Sequence, residues 1–314
     1  MTATLATPVA SHVSPWRLFW RRFRRHPAAT ASLVLLIVLA VLAILAGPIA
    51  QWRGIDPDAV DLLQRLEPPS AQYWLGTDEL GRDLFLRLLY GGRVSLSVGL
   101  AAALISAVLG AAVGLAAGYA GGAADALLMR FTDAMIALPI LPLLIVLAAV
   151  DLTKLGIPAS IAQSPEMSLY QIVLIVSLFA GWTTVARLVR GMALSLRERD
   201  FVRAARALGA RPLHIVLRHI LPNSASPIIV ATTLSIGNII LFESVLSFLN
   251  LGVRPPNASW GNMLSNAQEL IWSAPALAVY PGLLIFLTVM AFNFVGDGLQ
   301  DALDPRAIDR RSEN

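Results

Sequence analysis

The sequence predicts an all-α integral membrane protein with six transmembrane helices and both termini in the cytoplasm, and three observations carry that prediction. The composition is 56% hydrophobic and 14% charged over 314 residues, whereas a soluble domain carries charge on roughly a quarter of its residues. Apolar stretches long enough to cross a hydrocarbon core of ~30 Å recur six times, near 28–50, 94–118, 126–150, 169–189, 226–249 and 276–296. The segments between them hold nearly all the charge and share its basic part unequally. Those on the side of the N-terminus hold 17 Lys and Arg and those on the other side seven. The positive-inside bias therefore puts the N-terminus in the cytoplasm, and an even number of crossings returns the C-terminus there.

The same composition excludes several functions. A net charge of +4 without an aromatic-interleaved basic stripe does not read nucleic acid. With no cysteine there is no disulfide, thiolate metal site or cysteine nucleophile. The sole lysine, Lys154, lies in Leu152-Thr153-Lys154, so no Gly-Lys-Ser/Thr loop can cradle ATP phosphates. Gly-x-Ser-x-Gly and His-Glu-x-x-His are both missing. Of the four histidines, His12, His26, His214 and His219, the last two are five apart, off the i, i+4 spacing that puts two imidazoles on one helix face. An enzyme, a metal site and a resident cofactor are thus not expected in this chain. ATP with its Mg would have to be bound by another subunit.

In chain order, residues 1–27 read as a cytoplasmic tail. Trp16, Phe19, Trp20 and Phe23 recur at i, i+3, i+4, i+7 with Arg17, Arg21, Arg22, Arg24 and Arg25 on the remaining face. This pattern fits an amphipathic helix lying in the membrane interface, with a purely topogenic charge cluster as the alternative. Residues 28–314 read as one transmembrane domain. Its first span, polar only at Thr30 and Ser32, is longer than the roughly 7 to 15 apolar residues of a cleaved signal and is expected to remain.

On the outer side, Thr77-Asp78 and Gly81-Arg82-Asp83 precede an apolar face of Leu84, Phe85, Leu88 and Leu89, an interfacial turn and helix. This motif either touches a partner or forms a self-contained capped turn. The second span carries Ala102, Ser106, Gly110, Gly114 and Gly118, a small residue at every fourth position. Lipid tails give no hydrophobic drive between helices, so such a stripe marks close helix packing. In the third span Pro139 and Pro142 each remove a backbone donor and predict a kink or break. Irregular backbone at that depth is tolerated where protein buries it or water lines it, so both prolines are pathway candidates as well as structural kinks. The fifth span adds Asn238 and Glu243 as candidates. A carboxylate there costs several kcal/mol unless it is paired, protonated or facing water, and a hydrogen bond to a neighbouring helix is the competing reading.

The long cytoplasmic connection, about 190–225, predicts two short helices. Asp200 can cap the first, with Phe201, Ala204, Ala205 and Leu208 on one apolar face. Gly209 supplies a left-handed stop, and Pro212 opens a second helix that presents Leu213, Val216, Leu217 and Ile220 and ends near Pro222. The first helix reads as a docking peg for a cytoplasmic protein, or as a helix lying on the bilayer.

These residues carry a family resemblance. The run Asp200-Phe201-Val202-Arg203-Ala204-Ala205-Arg206-Ala207-Leu208-Gly209, followed by His219-Ile220-Leu221-Pro222-Asn223, resembles the EAA loop of ABC importer permeases. Three further runs are similar to the second permease subunit of dipeptide, oligopeptide and nickel importers. They are Leu75-Gly76-Thr77-Asp78-Glu79-Leu80-Gly81-Arg82-Asp83; Leu246-Ser247-Phe248-Leu249 with Pro255-Pro256 and Ser259-Trp260-Gly261; and Gly296-Asp297-Gly298-Leu299 with Asp304-Pro305-Arg306.

The resemblance implies a type I ABC importer permease fold in a bacterial inner membrane, carrying di- or oligopeptides. It implies a heterodimer with a second permease, two ATPase subunits that bind ATP and Mg, and an extracytoplasmic binding protein. It also implies an ATPase-coupling role for Asp200, Phe201, Arg203, Ala204, Ala205, Leu208, Gly209 and Pro222. Two positions depart from the family: Arg203 replaces the acidic residue that names the loop, and Asn250 stands where glycine is usual. The rival class is a stand-alone secondary transporter or channel coupling ions through Glu243, Asp133 or Asp151, but no inverted repeat is evident in the hydropathy.

Overall fold

The computed structural model describes residues 14–265 and 267–303. Asn266, His12 and the Asp304-Pro305-Arg306 run lie outside the described residues. A short amphipathic helix, α1 (Pro15–Phe23), precedes the first span, α2 (Pro27–Ile44), which continues after a break at Leu45 into α3 (Ala46–Arg53). Pro27 at the first helical position wastes no hydrogen bond there, and Gly54 at φ +63 ends α3 in the left-handed region.

The second span is longer than its apolar core. Helix α4 (Leu84–Ala120) has 37 residues, ~55 Å at 1.5 Å per residue. The interfacial helix expected after Asp83 is therefore the first turns of this span. Asp83 caps it, accepting from the Leu86 amide at 2.7 Å.

Where the sequence predicts the third span, α5 (Gly122–Ala137) is followed by α6 (Ile140–Ala148), the pair bent by 85°. The break falls at Leu138-Pro139, where the sequence predicts it: Pro139 is the N-cap of α6, and Pro142 lies in its first turn, where a missing amide is harmless. A four-residue helix, α7 (Ala159–Ala162), leads to the fourth span. That span is also broken, into α8 (Pro165–Phe179) and α9 (Trp182–Leu196), at 41°. The sequence reading takes it as continuous. Gly181, at φ +87, makes the turn, and Ser106 of α4 donates to the freed carbonyls of Ser177 and Ala180 at 3.1 and 2.9 Å.

Helix α10 (Asp200–Ala207) follows, then α11 (Pro212–Ile215), a π-turn over Val216–Ile220 and α12 (Leu221–Phe248). These last three run as one helix from Pro212 to Phe248. After the short α13 (Ala267–Leu270), helix α14 (Ala276–Leu303) completes the set. By length and composition four helices can span a membrane, and six spans result when each bent pair counts as one.

Helix α4 is the hub and packs on α9, α12, α8 and α2. Its small-residue stripe makes the close helix contact the sequence predicts, with Gly110, Gly114 and Gly118 against α9. A Cβ at Gly110 would sit 2.4 Å from the Trp182 carbonyl oxygen, one at Gly114 2.4 Å from that of Ala186, and one at Gly118 2.6 Å from the Ala193 Cβ. Around this seam Val98, Ala102 and Ala103 bury against Leu144, Ile172, Val176, Ile239, Ile240 and Leu246. At the other end, α12 and α14 meet through Gly296, whose added Cβ would strike Leu234 at 2.4 Å.

Candidate functional site

Helix α10 is built as a peg. It begins after Arg199, the N-cap, which makes no side-chain cap bond. Asp200 is the first helical residue, not the cap the sequence suggests; there its carboxylate still complements the positive end of the helix. Gly209 at φ +79 stops the helix as expected. The apolar face differs from the reading. Val202 is 0% exposed and packs with Ala205 into a cluster of Leu115, Val185, Val189, Ala193, Ile215 and Ile220. Phe201, Ala204 and Leu208 face away, with Leu208 at 89% exposure. Nearby, Leu213 and Leu217 are also exposed.

The i, i+3 pair Val202 and Ala205 thus anchors the peg, while the i, i+3, i+7 set Phe201, Ala204 and Leu208 stays exposed, with the Phe201 ring 6.2 Å from that of His219. Arg206 stacks over Tyr119 at 5.8 Å, tying the peg to the end of α4. Arg203 is exposed and meets Glu198 at 3.4 Å.

The peg leads without interruption into a span. Pro222 is not the end of a separate helix: it falls in the first turn of α12. Proline cannot donate to the preceding turn, and the π-turn just before it takes up the mismatch. Beside it, α5 and α9 are joined by Arg190 and Asp125 in a two-point contact at 2.5 and 2.7 Å, and by Arg187 and Asp133 at 2.5 Å.

On the opposite side, Thr77, Asp78, Gly81, Arg82 and Asp83 form a buried turn. The Asp78 carboxylate accepts from the Leu80 and Arg82 amides, each at 2.9 Å, and from Arg82 Nε at 2.7 Å. Arg87 reaches Asp78 at 3.4 Å and Asp58 at 2.9 Å. Thr77 accepts from the Glu67 amide at 2.8 Å and donates to the Gln64 carbonyl. Gly81, at φ +76, has no room for a side chain, since a Cβ would meet the Asp61 carbonyl oxygen at 1.8 Å. Asp83 also receives Arg53 at 2.9 Å, whose guanidinium lies 4.5 Å from the Trp74 ring centroid. The geometry is that of a self-contained turn that caps α4 and clasps the 55–75 loop.

Of the pathway candidates, Pro139, Pro142 and Asn238 are exposed on this chain and Glu243 is 0% exposed. Both Glu243 oxygens are occupied: Ser95 donates at 2.9 Å and Ser247 at 2.7 Å. Those hydroxyls in turn accept the Trp260 amide at 3.2 Å and the Val253 amide at 3.1 Å. The Trp260 indole donates to the Leu88 carbonyl at 3.0 Å, and a Cβ on Gly261 would overlap Ser244 Cα at 2.5 Å. The Ser259-Trp260-Gly261 run is therefore a loop plugged between α4 and α12, with Glu243 at its root. Asp133 is exposed. Asp151 lies outside the spans, where the Thr153 hydroxyl and then its amide hold the carboxyl below the usual carboxylate range. Among the described residues no His, Cys, Asp and Glu side chains group as a metal site.

The family model described as "Binding-protein-dependent transport system inner membrane component" matches residues 110–309, and that described as "N-terminal TM domain of oligopeptide transport permease C" matches residues 14–69. The chain belongs to this family of transport permeases. The permease is 43% identical over 296 residues to "Glutathione transport system permease protein GsiD" from Shigella flexneri serotype 5b (strain 8401), covering 93% of this chain and 91% of that one. The GsiD protein of Escherichia coli O6:K15:H31 (strain 536 / UPEC) matches with the same figures. In fold, the permease is similar to a chain of the MetNI methionine ABC transporter in an inward-facing conformation, with a TM-score of 0.52, 17% identity, and coverage of 69% of this chain and 96% of that one.

The permease is thus an all-α, multi-pass component of a bacterial inner membrane and a permease subunit of an ABC importer of the peptide and nickel class. Such subunits are not catalysts. Its departure at Asn250 leaves the turn intact: Asn250 takes φ +59, which asparagine tolerates better than other side chains. Sequence reasoning missed Val202 as the anchor of the peg, and it missed the Arg190–Asp125 pair. Asp125 and Arg190 fall at the edges of the apolar stretches near 126–150 and 169–189, where hydropathy gives no reason to pair them.

Proposed function

We propose that the permease forms a translocation path with a second, different permease subunit and is driven by two ATP-binding subunits that hold ATP and Mg. In this reading an extracytoplasmic binding protein delivers di- or oligopeptides, and the tripeptide glutathione belongs to the same substrate class. Both termini lie in the cytoplasm, so that α10 faces the ATPase. The observation that carries the reading is the exposed apolar face of α10, Phe201, Ala204 and Leu208, held out by a buried anchor at Val202. An apolar stripe of this kind, continuous with a helix that runs on through the membrane, converts a push on the peg into movement of a span. The coupling set is Asp200, Phe201, Arg203, Ala204, Ala205, Leu208, Gly209 and Pro222. Pro139, Pro142 and Asn238, exposed on one chain, are proposed to face the path or the second permease, with Glu243 holding the wall behind them. The turn from Thr77 to Asp83, closed on itself, is proposed to hold the 55–75 loop in place on the outer face, where the binding protein docks.

The test is reconstitution of the complex, co-expressed with its partner subunits, into vesicles with the binding protein outside and ATP inside. Labelled dipeptide, tripeptide and glutathione should accumulate only with ATP, and the permease by itself should hydrolyse none. Leu208→Asp should abolish ATPase co-purification while leaving membrane insertion intact. Uptake that persists without ATPase subunits would overturn the proposal and favour a stand-alone transporter.

A further inference from the structure

Helix α1 has no role in the transport reading, yet it is the most basic element of the chain and contains no acidic residue. At 3.6 residues per turn its side chains pass around the axis in the order Phe23, Trp16, Trp20, Arg17, Arg21. Phe23 is 2% exposed and packs with Ala29, Val295 and Ala302, against the end of α14. Trp16 is 65% exposed, and the arginines beyond it are exposed as well. The helix therefore grades from a protein-facing edge through an indole row to a guanidinium row. Arg24 and Arg25 extend that row into the turn before α2, and the Arg24 guanidinium lies 5.6 Å from the Trp20 ring centroid. Together Trp16, Arg17, Trp20, Arg21, Arg24 and Arg25 line a cleft of about 470 Å³.

Among the described residues no carboxylate lies within ion-pair distance of Arg17, Arg21, Arg24 or Arg25; Asp301, in the last turn of α14, meets His26 at 3.1 Å. One residue further on, Pro27 opens α2, whose Val34, Ile37, Val38, Val41 and Ile44 are exposed along its length. The cleft thus sits where a lipid-facing span leaves the hydrocarbon, at the depth of the headgroups. Guanidinium groups bind phosphate through paired N–H donors, and indoles favour that same layer.

We propose that this cleft binds an anionic phospholipid, its phosphate and headgroup on Arg17, Arg21, Arg24 and Arg25 and its acyl chains along the exposed side of α2. Phe23 and the His26–Asp301 contact pass the hold on to α14, so the bound lipid braces the two helix ends against each other. This inference does not rest on which substrate is carried.

The experiment uses the intact complex in detergent, with lipid binding followed by native mass spectrometry and by thermal stability. Phosphatidylglycerol should bind at least tenfold more tightly than phosphatidylcholine and should raise the melting temperature. Millimolar inorganic phosphate should neither stabilise the complex nor displace the lipid. Replacing all four arginines by glutamine should reduce the preference at least tenfold, and replacing them by lysine should retain most of it. If the fourfold glutamine variant does not assemble, each single glutamine variant should still lose about fivefold. A glutamine variant with the wild-type preference would overturn the proposal, as would displacement of the lipid by free phosphate.

Discussion

The seam between α4 and α9 gives a prediction whose sign the structure fixes. Gly114→Ala adds a single methyl group, which would sit 2.4 Å from the Ala186 carbonyl oxygen, 2.8 Å from Val189 Cβ and 3.0 Å from the Arg190 amide nitrogen. Two of these three atoms are backbone, so no side-chain rotation relieves the overlap and α9 must shift as a body. Overpacking of this kind costs ~1–3 kcal/mol, against a gain of ~1 kcal/mol when alanine replaces glycine inside a helix. The net is a destabilisation of up to about 2 kcal/mol. Gly191, in α9 itself, is the matched control: a Cβ there meets nothing within 4 Å, so Gly191→Ala keeps only the gain. Melting of the purified complex should fall by several degrees for Gly114→Ala and hold or rise for Gly191→Ala. The shift of α9 should also loosen the Arg190–Asp125 contact, so Asp125→Asn should cost less in the Gly114→Ala background than in the wild type. Equal melting temperatures for the two alanine variants would refute the reasoning.

Other consequences follow from the same geometry. Single cysteines in this cysteine-free chain should be labelled from outside at Gln64 and Asn266 and from the cytoplasm at Arg206 and Ser312, the second and fourth lying outside the described residues; outside labelling at Arg206 in intact cells would end the six-span topology. Gly209→Val places a β-branched residue at φ +79, a strain of at least ~1–2 kcal/mol, and should lower ATPase co-purification without changing membrane insertion. Among the described residues, Arg203→Glu removes a surface contact to Glu198, worth about 0–1 kcal/mol, so any larger, salt-dependent loss of ATPase binding reports an acidic site on the partner. Glu243→Gln keeps a partner for both Ser95 and Ser247 and should preserve stability and uptake, whereas Glu243→Ala strands two buried hydroxyls and should cost roughly 2–4 kcal/mol; loss of uptake in a stable Glu243→Gln complex would reassign this residue to ion coupling.

The sequence by itself determined whatever depends on local chemistry. Hydropathy located six apolar segments, because the bilayer demands ~20 such residues in a row whatever surrounds them. Pro139 announced the break in the third span, Gly209 the end of the peg, and the stripe from Ala102 to Gly118 a close helix contact. Each follows from what one residue type permits its own backbone to do. The order of the EAA-like, Ser-Trp-Gly and Gly-Asp-Gly runs also carried the family. Tertiary structure decided which neighbour each surface meets. Periodicity put Phe201, Ala204, Ala205 and Leu208 on one face, but helix α10 turned Val202 inward because the cluster at the end of α4 and α9 had room for it. The fourth span broke at Ala180-Gly181 because Ser106, 74 residues away from Ala180, satisfies the carbonyl the break exposes. Glu243 found Ser95 across 148 residues, and Arg190 found Asp125 across 65. Buried polar groups need partners wherever the chain happens to bring them, and the pairing of distant helices is not written in the spacing of either one.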